Sequence, residues 1–292
     1  MLRLQSQVAE IKPSRAAVRE MFFFLHGPKI RRGLAAVFFG FLDSSNTHAG
    51  AKVWTLCGFL GDEPAFEPLD RAWNGVLDKP YWPKRIERFH TVECVHGYGE
   101  FEGWPFAERL TMWGELISVL TSLPLVALGS VIITEDFGKL EPDELELLRS
   151  EGLGDPLDLS LQYILQRSIS LTRQTSESES IGLLFDNENP TRSQRCHEFC
   201  DLYRTKFGFD KWLAGIGFGS SMKWTPLQAA DLLAYGTYQF TMKRYPQIRE
   251  PDFPIMPGFL RMIEGVLHDG GGFDLDSMKL LASEIRKRHS QS

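Results

Sequence analysis

The run LAAVFFGFL, from Leu34 to Leu42, constrains this chain more than any other feature. A stretch of strand length with no charged or hydrogen-bonding side chain has no side to offer water, so it predicts a buried central strand. Asp43-Ser44-Ser45-Asn46 follows as a turn signal. KVWTLCGFL, Lys52 to Leu60, is again β-rich and close enough to form a hairpin with the first strand. A third strand is expected at Phe89 to Val95, with later ones at Leu123 to Ile133, Ile181 to Asp186 and Trp212 to Phe218. Between them, helical spacing of apolar residues marks Glu67 to Leu77, Pro105 to about Leu120, Leu157 to Leu171, Ser193 to Phe207, and Thr225 to about Lys243. Hairpin strands first, then strands alternating with helices, imply an α/β fold with a mixed β-sheet flanked by helices.

The chain has 292 residues, 43% of them hydrophobic, enough to build a substantial core. Residues 1–33 read as an N-terminal extension, within which Met21 is a second candidate start. Residues 34–245 form the expected main domain, with an inserted strand, helix and acidic segment around 123–180. That insert ends in a polar loop, Thr172 to Ser180. Residues 246–292 make a C-terminal tail, first Pro-rich, then Gly-rich, ending in a basic helix near Arg286 whose cations complement a helix C-terminus.

A net charge of −6 excludes a surface built for indiscriminate binding of polyanions, so a nucleic acid would have to be met locally. Four cysteines make no disulfide framework, and the polar start carries no secretory signal. Both point to a cytoplasmic protein. No apolar stretch approaches the ~20 residues needed to cross a bilayer, so no membrane association is expected.

Asp231 is the most telling candidate. Thr225-Pro226-Leu227-Gln228 reads as a helix start, with Thr225 as N-cap and Gln228 in the capping-box position. Counting onward, Asp231 shares a face with Leu227, Ala230, Ala234 and Tyr235. Desolvating an ionised carboxylate there costs several kcal/mol unless a cation, hydrogen bonds or a metal compensates. An arginine partner or an exposed rim is the bland explanation. Asp43 and Asp186 each follow an apolar strand, where a side chain projects from the sheet's end. Taken singly, DSSN and DNENP are ordinary turn sequences. Together, three carboxylates on a rigid scaffold suit two-metal phosphoryl chemistry with Mg²⁺ or Mn²⁺.

The order strand Asp, strand Asp, helix Asp resembles the ribonuclease-H-like superfamily. More closely, the chain resembles the bacterial and phage family catalogued as domain of unknown function 3800. The similar stretches are FFGFLDSSNTHAGAKVWTLCGFL, FHTVECVHGYGEFEGW, IGLLFDNENP and GIGFGSSMKWTPLQAADLLAYGTYQ. PLQAADLLAY is the most specific of them. The resemblance implies a ribonuclease-H-like sheet with Asp43, Asp186 and Asp231 as the acidic positions. This chain departs from the family in one place: where the first motif usually reads Asp-Glu-Ser-Gly, Ser44 replaces the second acid. Glu108 stands where such nucleases place a further acid, although an exposed helical glutamate explains it as well.

Weaker features complete the inventory. His90 is a candidate proton shuttle or substrate contact, or a structural histidine. His90, Cys94 and His96 alternate on the expected third strand, and Cys196 and Cys200 are spaced by one helical turn, but neither spacing matches a zinc pattern. Gly219 to Ser221 is a short candidate phosphate loop, equally a turn. Lys84, Arg85 and Arg88 beside Tyr81 and Trp82 offer a phosphate grip with a stacking ring, or a solvated turn. The expectation is a divalent-metal-dependent phosphodiesterase acting on nucleic acid. The alternative is a non-catalytic ribonuclease-H-like binding module of a phage-related or defence system, with a protein partner.

Overall fold

The computed structural model describes residues 37–45, 50–175, 179–186, 190–245, 248 and 256–291. The expected extension over 1–33 lies outside them. Strand β1 (Val37–Ser45) pairs antiparallel with β2 (Val53–Asp62), and β2 pairs antiparallel with β3 (Val126–Ile133). On its other side β1 runs parallel to β4 (Ser180–Asp186), which runs parallel to β5 (Leu213–Gly219). A sixth strand, β6 (Leu267–Phe273), runs parallel to β3, giving the order β5-β4-β1-β2-β3-β6. The apolar run therefore sits in the middle of a mixed sheet, as its composition requires.

Alternation along the strands sends side chains into two cores. Phe39 and Phe41 of β1, Cys57 and Phe59 of β2, and Leu184 of β4 face one. It is closed by α1 (Glu63–Leu77), α2 (Thr91–His96), α3 (Phe106–Thr121), α8 (Thr225–Arg244) and α9 (Phe259–Gly265). Leu42, Leu56, Leu128 and Leu183 face the other. That face is covered by α4 (Thr134–Phe137), α5 (Pro142–Ser150), α6 (Pro156–Thr175), α7 (Pro190–Phe207) and α10 (Leu275–Gln291). The acidic segment thus becomes two short helices, and α6 runs on through Thr172 to Thr175 where a loop was expected.

The third strand is not where β-propensity puts it. Residues 91–96 are helical. Gly97, at φ 73°, ends the turn in the left-handed conformation that glycine adopts without penalty, and Arg109 donates to the carbonyls of Cys94 and Val95, the latter at 2.7 Å. A guanidinium from another helix thereby satisfies groups that a sheet ladder would otherwise take.

Strand β6 was not expected, because LHDGGGF has few strand-forming residues. Its outer-face anchor is Asp269, which accepts from Tyr163 Oη at 2.8 Å and from Arg167 Nε at 3.0 Å, both on α6. The Arg167 hydrogen bonds hold the Asp269 carboxyl below the usual carboxylate range, outweighing its partial burial. A depressed carboxylate stabilises the fold above its unfolded-state pKa and stops doing so as pH falls through the folded value. Asp269→Asn should therefore cost about 1 kcal/mol near pH 7, allowing for the solvent exposure of Arg167. In urea melts the gap to wild type should close in strongly acidic buffer; a gap constant with pH would refute the assignment.

A candidate carboxylate site on one face of the sheet

Asp43 lies near the end of the face of β1 that carries Phe39 and Phe41, and Asp186 ends the face of β4 that carries Leu184. The parallel register ends with Leu42 paired to Phe185, and Asp43 and Asp186 each follow by one residue on these neighbouring strands. Helix α8 packs across β1 and β2 on this same face and brings Asp231 with it. All three aspartates therefore share one face. Among the described residues, however, no three His, Cys, Asp or Glu side chains gather closely enough to hold a metal ion.

Each carboxylate has a backbone donor. Asp43 Oδ1 accepts from Ser44 N at 2.7 Å, Asp186 Oδ1 from Ser221 N at 3.1 Å, and Asp231 Oδ2 from Thr91 N at 2.7 Å. Asp231 is buried, and no arginine or lysine pairs with it among the described residues. Burial pushes its carboxyl above the usual range and the charge on Asp186 adds to the push, while nearby His90 and the Thr91 bond oppose it.

His90 precedes α2 and is held through Nδ1, 3.1 Å from Glu93 Oε1. Glu93 also accepts from Arg88 at 3.1 Å and from the Glu100 amide at 2.9 Å. Its carboxyl is desolvated, yet these partners keep it below the usual range. The result is a histidine fixed by a carboxylate and within electrostatic reach of Asp231.

Gln228 is the residue whose role its sequence position concealed. Trp224, not Thr225, is the N-cap of α8, and Thr225 Oγ1 instead donates to Asp70 at 2.6 Å. Gln228 is buried among tertiary partners. Its Oε1 accepts from Trp73 Nε1 and from Phe89 N, both at 3.0 Å, and its Nε2 donates to Ser221 O at 2.7 Å. It ties the segment carrying His90 and the Thr91 amide to the turn whose Ser221 amide holds Asp186. The sequence signal was a lone amide within the otherwise apolar stretch around Leu227, Ala229 and Ala230.

Other candidates do not converge here. Glu108 lies on α3, which precedes the true third strand and packs on α1 and α9; its Oε2 is buried without a hydrogen-bond partner among the described residues. Cys94 is in the first core, Cys196 and Cys200 in the second, and burial raises the Cys94 thiol to about 12. Gly219 ends β5, and Ser220 and Ser221 open a turn in which Ser220 O accepts from Lys223 and Trp224. Trp82 points inward, donating to Val76 O at 2.6 Å, while Arg85 and Arg88 pair with Asp78 and Glu93. That excludes Trp82 as a stacking platform. At the C-terminus Arg286 bonds Asp143 and His289 bonds Glu151, so this basic end docks on α5 and the residue after it. No helix among the described residues is long and apolar enough to cross a membrane. In comparisons with known proteins, the chain matches no family model, no curated protein and no solved structure.

Proposed function

We propose that this chain is a ribonuclease-H-like protein acting as a divalent-metal-dependent phosphodiesterase on nucleic acid. The observation that carries the reading is Asp231 with Asp186 on the same face: among the described residues Asp231 is buried with no arginine or lysine beside it, and the charge of Asp186 adds to the cost. Such a pair is costly without a cation. Three antiparallel strands, with the first at the centre of the sheet and continued outward by two parallel strands, fit the expected fold. The missing second acid matters less than the motif suggests. Ser44 pairs with Leu56, whose side chain enters the opposite core, so a carboxylate at position 44 would face away from Asp231.

Mg²⁺ keeps several waters and is commonly bound by one or two carboxylates together with substrate phosphates, so an incomplete set of protein ligands suits it. Asp43, Asp186 and Asp231 would hold Mg²⁺ or Mn²⁺, which when bound activates water and stabilises the leaving oxygen of a phosphodiester. Ser221 and Thr91 orient two of these carboxylates through their amides, and Gln228 fixes both segments. His90, braced by Glu93, is placed to take up or return a proton beside the carboxylates.

The absence of a three-ligand group among the described residues favours the second reading, a non-catalytic binding module of the same fold. Calorimetric titration with Mn²⁺, run beside cleavage of single- and double-stranded DNA and RNA, separates the two. Binding with cleavage, both lost in Asp186→Asn, supports the phosphodiesterase; no binding by the wild type would leave the binding module.

A further inference from the structure

On the carboxylate-bearing face but beyond α8, a groove of about 450 Å³ opens between α8, α9 and strands β3 and β6. Its walls are apolar: Leu233 and Phe240 from α8, Phe259 and Ile263 from α9, and Ile133 from β3. Its floor is glycine. Gly129 of β3 is in register with Gly270 of β6, and Val131 with Gly272.

The three consecutive glycines of β6 are not equivalent. A Cβ on Gly271 would come within 2.4 Å of the Tyr163 ring on the α6 side, so packing accounts for that glycine. Gly270 and Gly272 point to the groove side. Neither has a positive φ; a Cβ on Gly270 would meet only Gly129 O at 3.8 Å, and one on Gly272 nothing within 4 Å. Neither backbone conformation nor packing requires glycine at these two positions, and glycine weakens a strand through lost side-chain contacts and unfolded-state entropy. What the two glycines provide is a flat, bare backbone surface between aromatic walls, within the size range of small-molecule sites.

The groove has one polar end. Tyr245 and Asp274 line it, whereas Asp136, which holds the Leu275 amide, is ion-paired with Lys139. The Tyr245 hydroxyl is buried near Asp274, without a partner in hydrogen-bond geometry among the described residues. The Ser277 amide and hydroxyl both bond Asp274 Oδ1, and the Tyr245 hydroxyl neighbours the same carboxyl. A carboxylate, Asp274, at one end of an apolar slot favours a positive head group there, with an apolar ring behind it.

We propose that this groove binds a planar aromatic amine, its ring lying on the Gly270–Gly272 backbone and its ammonium group directed at Asp274. The test uses tryptamine as probe and indole-3-acetate as its acidic counterpart, titrated by calorimetry into the full chain and into Gly272→Val. Valine at 272 enters open space, so the variant should melt no lower than wild type; Gly272→Ala, a smaller filler, decides the matter should the valine variant misfold. The expected result is tryptamine binding by the wild type, at least tenfold weaker in the filled variant, with indole-3-acetate at least tenfold weaker than tryptamine. Absence of tryptamine binding, equal binding by a folded filled variant, or preference for the acid would overturn the proposal.

Discussion

Asp231→Asn should leave the chain at least as stable as the wild type in metal-free buffer while weakening Mn²⁺ binding by a hundredfold or more. Asparagine keeps an oxygen for the Thr91 amide, so the bond at 2.7 Å survives. The buried charge, and its repulsion with Asp186, disappear. Relief of a desolvated charge is worth up to ~2 kcal/mol here, since the hydrogen bond and His90 already offset part of the cost. Function and stability should therefore move in opposite directions, as they do where a site keeps a costly group for its chemistry. Thermal melts and Mn²⁺ titration on the same preparation check both halves. A variant that loses stability and keeps its metal affinity would show Asp231 to be a structural residue.

Gln228→Leu is expected to have the largest effect on folding. Leucine has nearly the right volume but leaves Trp73 Nε1, Phe89 N and Ser221 O buried without their partner. Each such group costs ~1–3 kcal/mol, so a total on the order of 4 kcal/mol is expected, a large share of a typical domain's stability. Gln228→Glu retains the acceptor and loses the donor to Ser221 O, so it separates the two ends of the clamp. Urea denaturation with an unchanged slope would assign the loss to the native state. A loss below ~1 kcal/mol in Gln228→Leu would mean that the three groups find other partners.

Much of the architecture was legible because it depends on local pattern. The apolar run ending at Asp43 could only be an interior strand, and helical periodicity located α1, α3, α6, α7 and α8 within a few residues. Legibility failed where a distant residue decides the local conformation. Residues 91–96 carry strand-formers such as Thr91 and Val92, but the carbonyls that Arg109 takes up belong to a helix end, and Arg109 is a neighbour only after folding. Strand β6 shows the converse: its sequence argues against a strand, and pairing with β3 creates one. Of the site, Asp231 was legible because a charge on an apolar helix face needs a reason. Gln228 was misread because its spacing from Thr225 imitates a local cap, while its partners lie on α1, at Phe89 and in the turn after β5.

The position of β6 in the sheet also has a consequence for synthesis. Strand β3 is made long before β6, the strand that closes its outer edge. Until Phe273 has cleared the ribosome, the nascent protein carries a bare edge in the row Val126 to Ile132, an apolar template for pairing with other chains. Expression yield should consequently depend on how quickly β6 follows β3, or on a chaperone that shelters β3 until then.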